Sequence, residues 1–211
     1  MNSDMQPQGS VFEQTVPEKK PPSKVAALLD YLEIFAWSIF VIMMLFTFVI
    51  RLCRVDGESM ENTLYDGQTL ILYSLAYTPE QDDIVVFHLS DKPGENTLVK
   101  RVIATGGQTV QINFVTKEIL VDGVLYKDSY AVLKNRSDLI IDAYTLYSDY
   151  TPYYDAKTQT FTATVPKGQV FVMGDNRNNS KDSRNSEIGF VDEDCILGKV
   201  LLRVSPFKIF S

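Results

Sequence analysis

One apolar run sets the frame for this chain. From Leu28 to Ile50 the residues are almost all hydrophobic, interrupted only by Asp30 and Glu33 near the start and by Ser38 and Thr47 further on. A helix apolar on every side must be buried in protein or lie in lipid. The uncharged part, Ile34 to Ile50, falls at the short end of the roughly 17–25 residues that cross a bilayer. Trp37 suits the interface near one end, and Arg51 and Arg54 close the other. A cleaved leader would need a shorter apolar core nearer the N-terminus and a small-residue cleavage site after it. This run starts late and ends in Arg51-Leu52-Cys53-Arg54, so a retained transmembrane anchor is expected over 28–52. Lys19, Lys20 and Lys24 before the run are balanced by the two arginines after it, and charge alone does not orient the anchor. Residues 1–27 are polar, with Pro7, Pro17, Pro21 and Pro22, and are expected to form a disordered tail.

Beyond residue 53 the pattern changes. Short apolar or alternating runs follow one another: Thr69–Tyr73, Ile84–Leu89, Leu98–Ala104, Val110–Ile112, Glu118–Val121, Phe161–Val165, Gln169–Met173 and Gly198–Val204. Turn dipeptides separate them, at Asp66-Gly67, Pro93-Gly94, Gly106-Gly107, Asp122-Gly123 and Lys167-Gly168. This is strand-and-turn patterning with no long amphipathic helix. Residues 53–211 are expected to be a mainly antiparallel β domain. A Tyr-rich insertion at about 131–160, holding Tyr144, Tyr147, Tyr150, Tyr153 and Tyr154, reads as an excursion whose rings cover sheet surface, or as a partner-binding patch.

Composition narrows the function. With 45 % hydrophobic residues, 11 Tyr and 12 Phe, the chain has material for a β-rich core. A net charge of -7, without a basic stripe, gives no support to nucleic-acid binding. Neither zinc-ligand spacing nor a nucleotide-binding glycine loop is present, so no metal or cofactor is expected. Cys53 and Cys195 are the only cysteines, which indicates free thiols rather than a disulfide framework. His88, the single histidine, sits in a strand-like run, where packing or exposure is expected rather than catalysis.

Three stretches carry chemistry-bearing residues. Val55-Asp56-Gly57-Glu58-Ser59-Met60-Glu61-Asn62-Thr63-Leu64 places a serine two positions after a glycine able to take turn conformations. Lys100 and Arg101 interrupt the apolar run Leu98–Ala104; adjacent strand residues face opposite sides, so the two cannot point the same way. Lys100 either points out to water or is desolvated, and desolvation would depress its pKa and make a neutral amine available as a base. Gly174-Asp175-Asn176-Arg177-Asn178-Asn179-Ser180-Lys181-Asp182-Ser183-Arg184 follows directly on an apolar strand. It is either a solvated loop or a charge-paired, hydrogen-bonded one beside a site.

In this order, after an N-terminal anchor, the stretches resemble those of the bacterial Ser/Lys type I signal peptidases. Val55-x-Gly57-x-Ser59-Met60-x-x-Thr63-Leu64 is similar to the nucleophile box and Asp83–Phe87 to the strand box after it. Val99-Lys100-Arg101-Val102-Ile103-Ala104-x-Gly106-Gly107 is similar to the base box, and Gly174–Arg184 to the last box. The resemblance spans roughly Leu28 to Val204. It implies a membrane-anchored serine endopeptidase with Ser59 as nucleophile, Lys100 as general base and Ser180 hydrogen-bonded to the Lys100 amine. Asp175, Asp182, Arg101 and Arg184 would be structural charges holding the last box against the base strand. The Ser59 backbone N–H would serve the oxyanion, and Gly57 leaves no side-chain helper two positions before it. It further implies exported preproteins with small-x-small cleavage sites as substrates, contact with membrane lipid, and a catalytic domain outside the cytoplasm.

Two positions depart from the family pattern. Asn62 stands where proline is usual, which would loosen the turn after the nucleophile, and Asp82 stands where glycine usually precedes the acid. Two further readings remain: a specialised relative with a dedicated secreted or pilus-type substrate, and a non-catalytic module that binds signal sequences. An inactive relative would be expected to lack Ser59 or Lys100, and both are present.

Overall fold

The computed structural model describes residues 23–89, 97–127, 129, 131 and 153–210. The expected polar tail before residue 23, the Pro93-Gly94 turn, and Tyr144, Tyr147 and Tyr150 lie outside the described residues. The chain divides into an N-terminal unit through Ile42 and a second unit from Met43 onward.

The apolar run forms one helix, α1, Lys24–Phe48. Within it Ala27–Thr47 is long and apolar enough to cross a membrane, with a mean hydropathy of 1.9. Its serine and threonine hydroxyls are satisfied internally: Ser38 Oγ donates to the Ile34 carbonyl (2.8 Å) and Thr47 Oγ1 to that of Met43 (2.7 Å). In hydrocarbon that bonding is needed, because no water is available to them. The helix stops at Phe48, and Ile50–Arg54 is strand β1. The expected anchor, 28–52, therefore begins four residues late and runs into a strand. An apolar run gives no internal mark of where helix gives way to strand. Here the boundary comes from pairing, with Ile50 opposite Tyr73 and Arg54 opposite Thr69.

The second unit is mainly antiparallel β-sheet, as expected. After β1 come β2 Thr69–Tyr73, β3 Ile84–His88, β4 Thr97–Thr105, β5 Thr109–Asn113, β6 Glu118–Val121 and β7 Val124–Leu125. Then follow β8 Tyr154–Asp155, β9 Thr160–Thr164, β10 Gln169–Met173, β11 Val191–Asp192, β12 Ile196–Arg203 and β13 Lys208–Ile209. One sheet has the order β1-β2-β12-β3-β4-β10-β11, with β13 on β12; the other has the order β7-β6-β5-β9-β8.

The two sheets bury their strands differently, and the sequence shows why. Strand β3 is covered on both faces. Ile84 and Val86 pack with Met60, Leu64, Leu70 and Val200, while Val85 and Phe87 pack with Val102, Val170 and Val172. It therefore reads as an unbroken apolar run. Strands β5 and β9 alternate instead: Val110, Ile112, Phe161 and Ala163 enter the core, and Gln111 and Thr162 face out. Strand β4 runs through the middle of the first sheet, and its Lys100 and Arg101 are consequently both inside, 2 % and 6 % exposed. Neither reaches water as a lone strand would have allowed.

Candidate active site

The segment carrying Ser59 is a tight turn pinned at both ends. Val55 N–H donates to the Gln68 carbonyl (2.8 Å), and Gly67 N–H returns to that of Val55 (3.0 Å). Gly57 adopts a φ of +87, open to glycine but strained for other residues, and its N–H donates to Asp66 Oδ1 (2.9 Å). After the serine, Leu64 N–H closes a helical turn onto the Met60 carbonyl (2.8 Å), and the Met60 and Leu64 side chains anchor that turn in the core. Ser59 is left half-buried at the rim.

Lys100 meets Ser59 from strand β4. Its Nζ lies 2.6 Å from Ser59 Oγ and 3.1 Å from the Val99 carbonyl oxygen. Lys100 pairs with Val85 and Arg101 with Ile84, so the two basic side chains leave β4 on opposite faces. Burial lowers the Lys100 pKa to about 8; Asp182 and Asp175 pull it upward, and Arg184 reinforces the lowering. A desolvated ammonium gives up its proton more readily because the charged form has lost its hydration.

The loop from Gly174 to Arg184 is buried rather than solvated. Asp175, fully buried, accepts from Arg101 Nε (2.9 Å) and Nη2 (2.7 Å) and from Thr63 Oγ1 (2.5 Å). Arg101 Nη1 also donates to the Asp82 carbonyl (2.7 Å). Asp182, equally buried, accepts from Arg184 Nε and Nη2 (both 2.8 Å) and from the Gly174 N–H (2.9 Å). Burial alone would raise the Asp182 pKa, but Arg184 and these hydrogen bonds hold it below the usual carboxylate range. Gly174 is required on steric grounds: a Cβ there would come within 2.2 Å of Ser180 Oγ and 2.5 Å of the Ser59 carbonyl oxygen.

Ser180 does not act as expected. The hydrogen bonds of the Lys100 amine go to Ser59 and to the Val99 carbonyl, not to Ser180. Its hydroxyl packs against Gly174 beside Asp182, and its oxygen has no full hydrogen bond. The backbone bond from Ser183 N–H to the Val172 carbonyl (3.0 Å) holds this end of the loop on β10, which fixes where Ser180 sits. His88 is at the end of β3 with Nδ1 3.1 Å from Thr97 Oγ1, and Cys53 and Cys195 are free thiols. Among the described residues no group of three His, Cys, Asp or Glu side chains is placed to hold a metal ion.

A family model described as signal peptidase, peptidase S26, matches residues 28–205. The chain belongs to that family. It is thus a serine peptidase of the signal-peptide-cleaving class. Signal peptidase I of Bacillus amyloliquefaciens is 32 % identical over 195 residues, covering 90 % of this chain and 95 % of that one. Signal peptidase IB of Staphylococcus aureus is 30 % identical over 190 residues, covering 87 % and 93 %. A crystal structure of a signal peptidase I from Enterococcus faecalis aligns with a TM-score of 0.38 at 28 % identity, over 58 % of this chain and 97 % of that chain.

Both departures from the S26 pattern fall at positive φ. Asn62 has φ 49, a value proline's ring forbids, so the turn after Ser59 follows a path that a proline there could not take. Asn is among the residues that tolerate this left-handed region. Asp82 has φ 75, the kind of conformation for which glycine is the default. Its N–H donates to the Val102 carbonyl (2.9 Å) and its carbonyl accepts from Arg101, so the substitution leaves the turn fully bonded.

Several supporting residues of this signal peptidase are not evident from sequence patterning. Thr63 supports Asp175 and gives its carbonyl to Arg203 Nη1 (3.0 Å), which ties the nucleophile turn to β12. Asp83 is paired with Lys199 (2.6 Å) and accepts from the Tyr77 hydroxyl (2.6 Å), and burial together with Asp83 pushes the Tyr77 pKa upward. Arg177 Nε holds the Gly174 carbonyl (3.0 Å). Asn176 binds the nucleophile segment twice, through its backbone N–H to the Ser59 carbonyl and its Nδ2 to that of Glu58, each at 3.0 Å. A polar loop gives a sequence reader no way to rank its members; only their burial does.

Proposed function

We propose that this chain is a membrane-anchored endopeptidase that removes signal peptides from exported preproteins at small-x-small sites, using Ser59 as nucleophile and Lys100 as general base. The observation that carries the reading is the 2.6 Å approach of Lys100 Nζ to Ser59 Oγ, made by a lysine that is 2 % exposed. A serine hydroxyl is a poor nucleophile until a base takes its proton. With its pKa near 8, Lys100 holds a useful neutral fraction near neutral pH, and the neutral amine accepts the Ser59 hydroxyl proton.

The steps balance without a metal or cofactor. Ser59 Oγ attacks the scissile carbonyl carbon as its proton passes to Lys100. The tetrahedral oxyanion is met by the Ser59 backbone N–H. Collapse breaks the C–N bond, and the Lys100 ammonium returns the proton to the departing amine of the mature protein. Water then adds to the acyl ester, giving a proton to Lys100; collapse breaks the bond to Ser59 Oγ, which takes that proton back from Lys100, and the signal peptide leaves as its carboxylic acid, ionised at neutral pH. Asp175, Asp182, Arg101 and Arg184 hold the site's shape, while Ser180 contributes packing against Gly174.

The domain reading is a polar tail before α1, an anchor supplied by α1, and a peptidase domain from β1 onward. Support for the anchor is the apolar length of Ala27–Thr47. Tethering places the nucleophile at the bilayer surface, where a preprotein's cleavage site lies, and so raises its effective concentration. The catalytic domain is assigned to the extracytoplasmic side, in contact with lipid.

The test is cleavage of a preprotein with an Ala-x-Ala site by the detergent-solubilised enzyme, Ser59→Ala and Lys100→Met. Cleavage by the wild type alone is expected. An inert wild type that cuts a dedicated secreted or pilus-type substrate would redirect the substrate assignment. Tight binding of signal sequence without cleavage of any substrate would refute the catalytic reading.

A further inference from the structure

Asn176 lies one residue beyond the charged Asp175 and is 1 % exposed, yet it takes no part in the ion pairs around it. What it holds is the backbone of the nucleophile. Its N–H donates to the Ser59 carbonyl and its Nδ2 to the Glu58 carbonyl, both at 3.0 Å. One residue thus fixes the peptide planes on both sides of Ser59.

The peptide plane between Glu58 and Ser59 matters most. In a planar trans peptide the carbonyl of one residue and the N–H of the next share a plane and point in opposite directions. Holding the Glu58 oxygen against Asn176 therefore turns the Ser59 N–H away from the 174–184 loop. That N–H has no acceptor among the described residues, so it is available to a ligand. We infer that Asn176 is the positioning residue of the oxyanion hole: its side-chain amide aims the Ser59 N–H at the developing oxyanion. This rests on the assignment of Ser59 as nucleophile and adds to it the residue that orients the hole.

The side chain's other end favours this over a purely structural role. Asn176 Oδ1 is buried and lacks a partner, and an unsatisfied polar group of this kind destabilises a fold. Flipping the amide does not relieve it, because the oxygen would then face the Glu58 carbonyl and lose the Nδ2 bond. The Glu58 carbonyl, moreover, already accepts from the Glu61 N–H (3.1 Å), so the fold does not need a second donor there. An apolar side chain of similar shape would remove the orphan at little loss, whereas the aim of the Ser59 N–H needs the Nδ2 donor.

The test is steady-state cleavage of the Ala-x-Ala preprotein by the detergent-solubilised full chain, Asn176→Ala and Asn176→Leu. Leucine keeps the volume if alanine unfolds the loop. A peptide boronic acid ending in Ala-x-Ala, which forms a tetrahedral adduct on the serine, is titrated alongside. Expected is a fall in kcat of about 10- to 100-fold, up to what loss of an oxyanion donor brings. KM should stay within about twofold and the melting midpoint should hold or rise. Boronate affinity should fall by the same factor as kcat. Unchanged kcat, a rise in KM alone, or boronate affinity that survives a loss of kcat would each overturn the inference. A wild type that cleaves nothing would remove the nucleophile assignment and this inference with it, whereas active variants beside an active wild type would sink this one only.

Discussion

Replacing Lys100 by methionine should abolish activity and, at neutral pH, stabilise the fold. The amine titrates near 8 in the native protein against 10.5 for an ordinary lysine. At 1.36 kcal/mol per unit that gap is about 3 kcal/mol. The sign follows from which state holds the proton. Between pH 8 and 10.5 the unfolded chain keeps it and the native state does not, so stability rises with pH across that window. Below about 8 both states are protonated and the native fold bears the full penalty; above 10.5 neither is and the penalty vanishes. Methionine fills similar space without charge. It forgoes the bonds to Ser59 and Val99, each worth about 1 kcal/mol at any pH. The assay is urea unfolding of both proteins in detergent at pH 7, 8, 9 and 10, taken as a difference so that other titrations cancel. The wild type should gain on the variant by about 2–3 kcal/mol from pH 7 to pH 10. A difference that does not change with pH would refute the desolvated amine and with it the proposed base.

The same group shapes the rate. kcat/KM should rise about tenfold per pH unit below a pKa near 8 and level off above it, and a flat profile from pH 6 to 8 would remove Lys100 as the base. Gly174→Ala should lower both the melting midpoint and kcat, since its Cβ would stand 2.5 Å from the Ser59 carbonyl oxygen, and overpacking of this kind costs about 1–3 kcal/mol; unaltered kinetics would show that the loop gives way freely. Asp175→Asn should destabilise the domain by about 3–5 kcal/mol in chemical unfolding, because it leaves the Arg101 guanidinium buried without its counter-charge. A loss under about 1 kcal/mol would mean that water reaches the arginine.

Much of the fold is legible because burial leaves a period. The alternation in β5 and β9, the unbroken apolar run of β3 and the turn dipeptides between strands follow from which faces meet the core. Strand β1 is not legible, since its apolar residues continue those of α1 and only pairing with β2 sets them apart. The two-residue strands β7, β8, β11 and β13 are too short to carry a period. At the site, Ser59 and Lys100 are found through motif likeness, whereas their approach depends on a register of β3 and β4 that no local pattern encodes. The expected bond from Ser180 to Lys100 fails for a related reason: where a loop hydroxyl settles depends on Gly174 and Ser183, not on its place in the motif. Asn176 is invisible among polar neighbours until the loop closes over Glu58 and Ser59.

Whether Ser59 becomes acylated decides the account most directly. A peptide ester with alanine at the scissile carbonyl, mixed rapidly with enzyme and quenched in acid, should leave its acyl group on the proteolytic fragment that contains Ser59. The mass of that fragment should rise by the acyl group within one turnover and return to normal as product forms. Ser59→Ala should show neither adduct nor turnover. Turnover by Ser59→Ala, or an acyl group on any other residue, would contradict the mechanism.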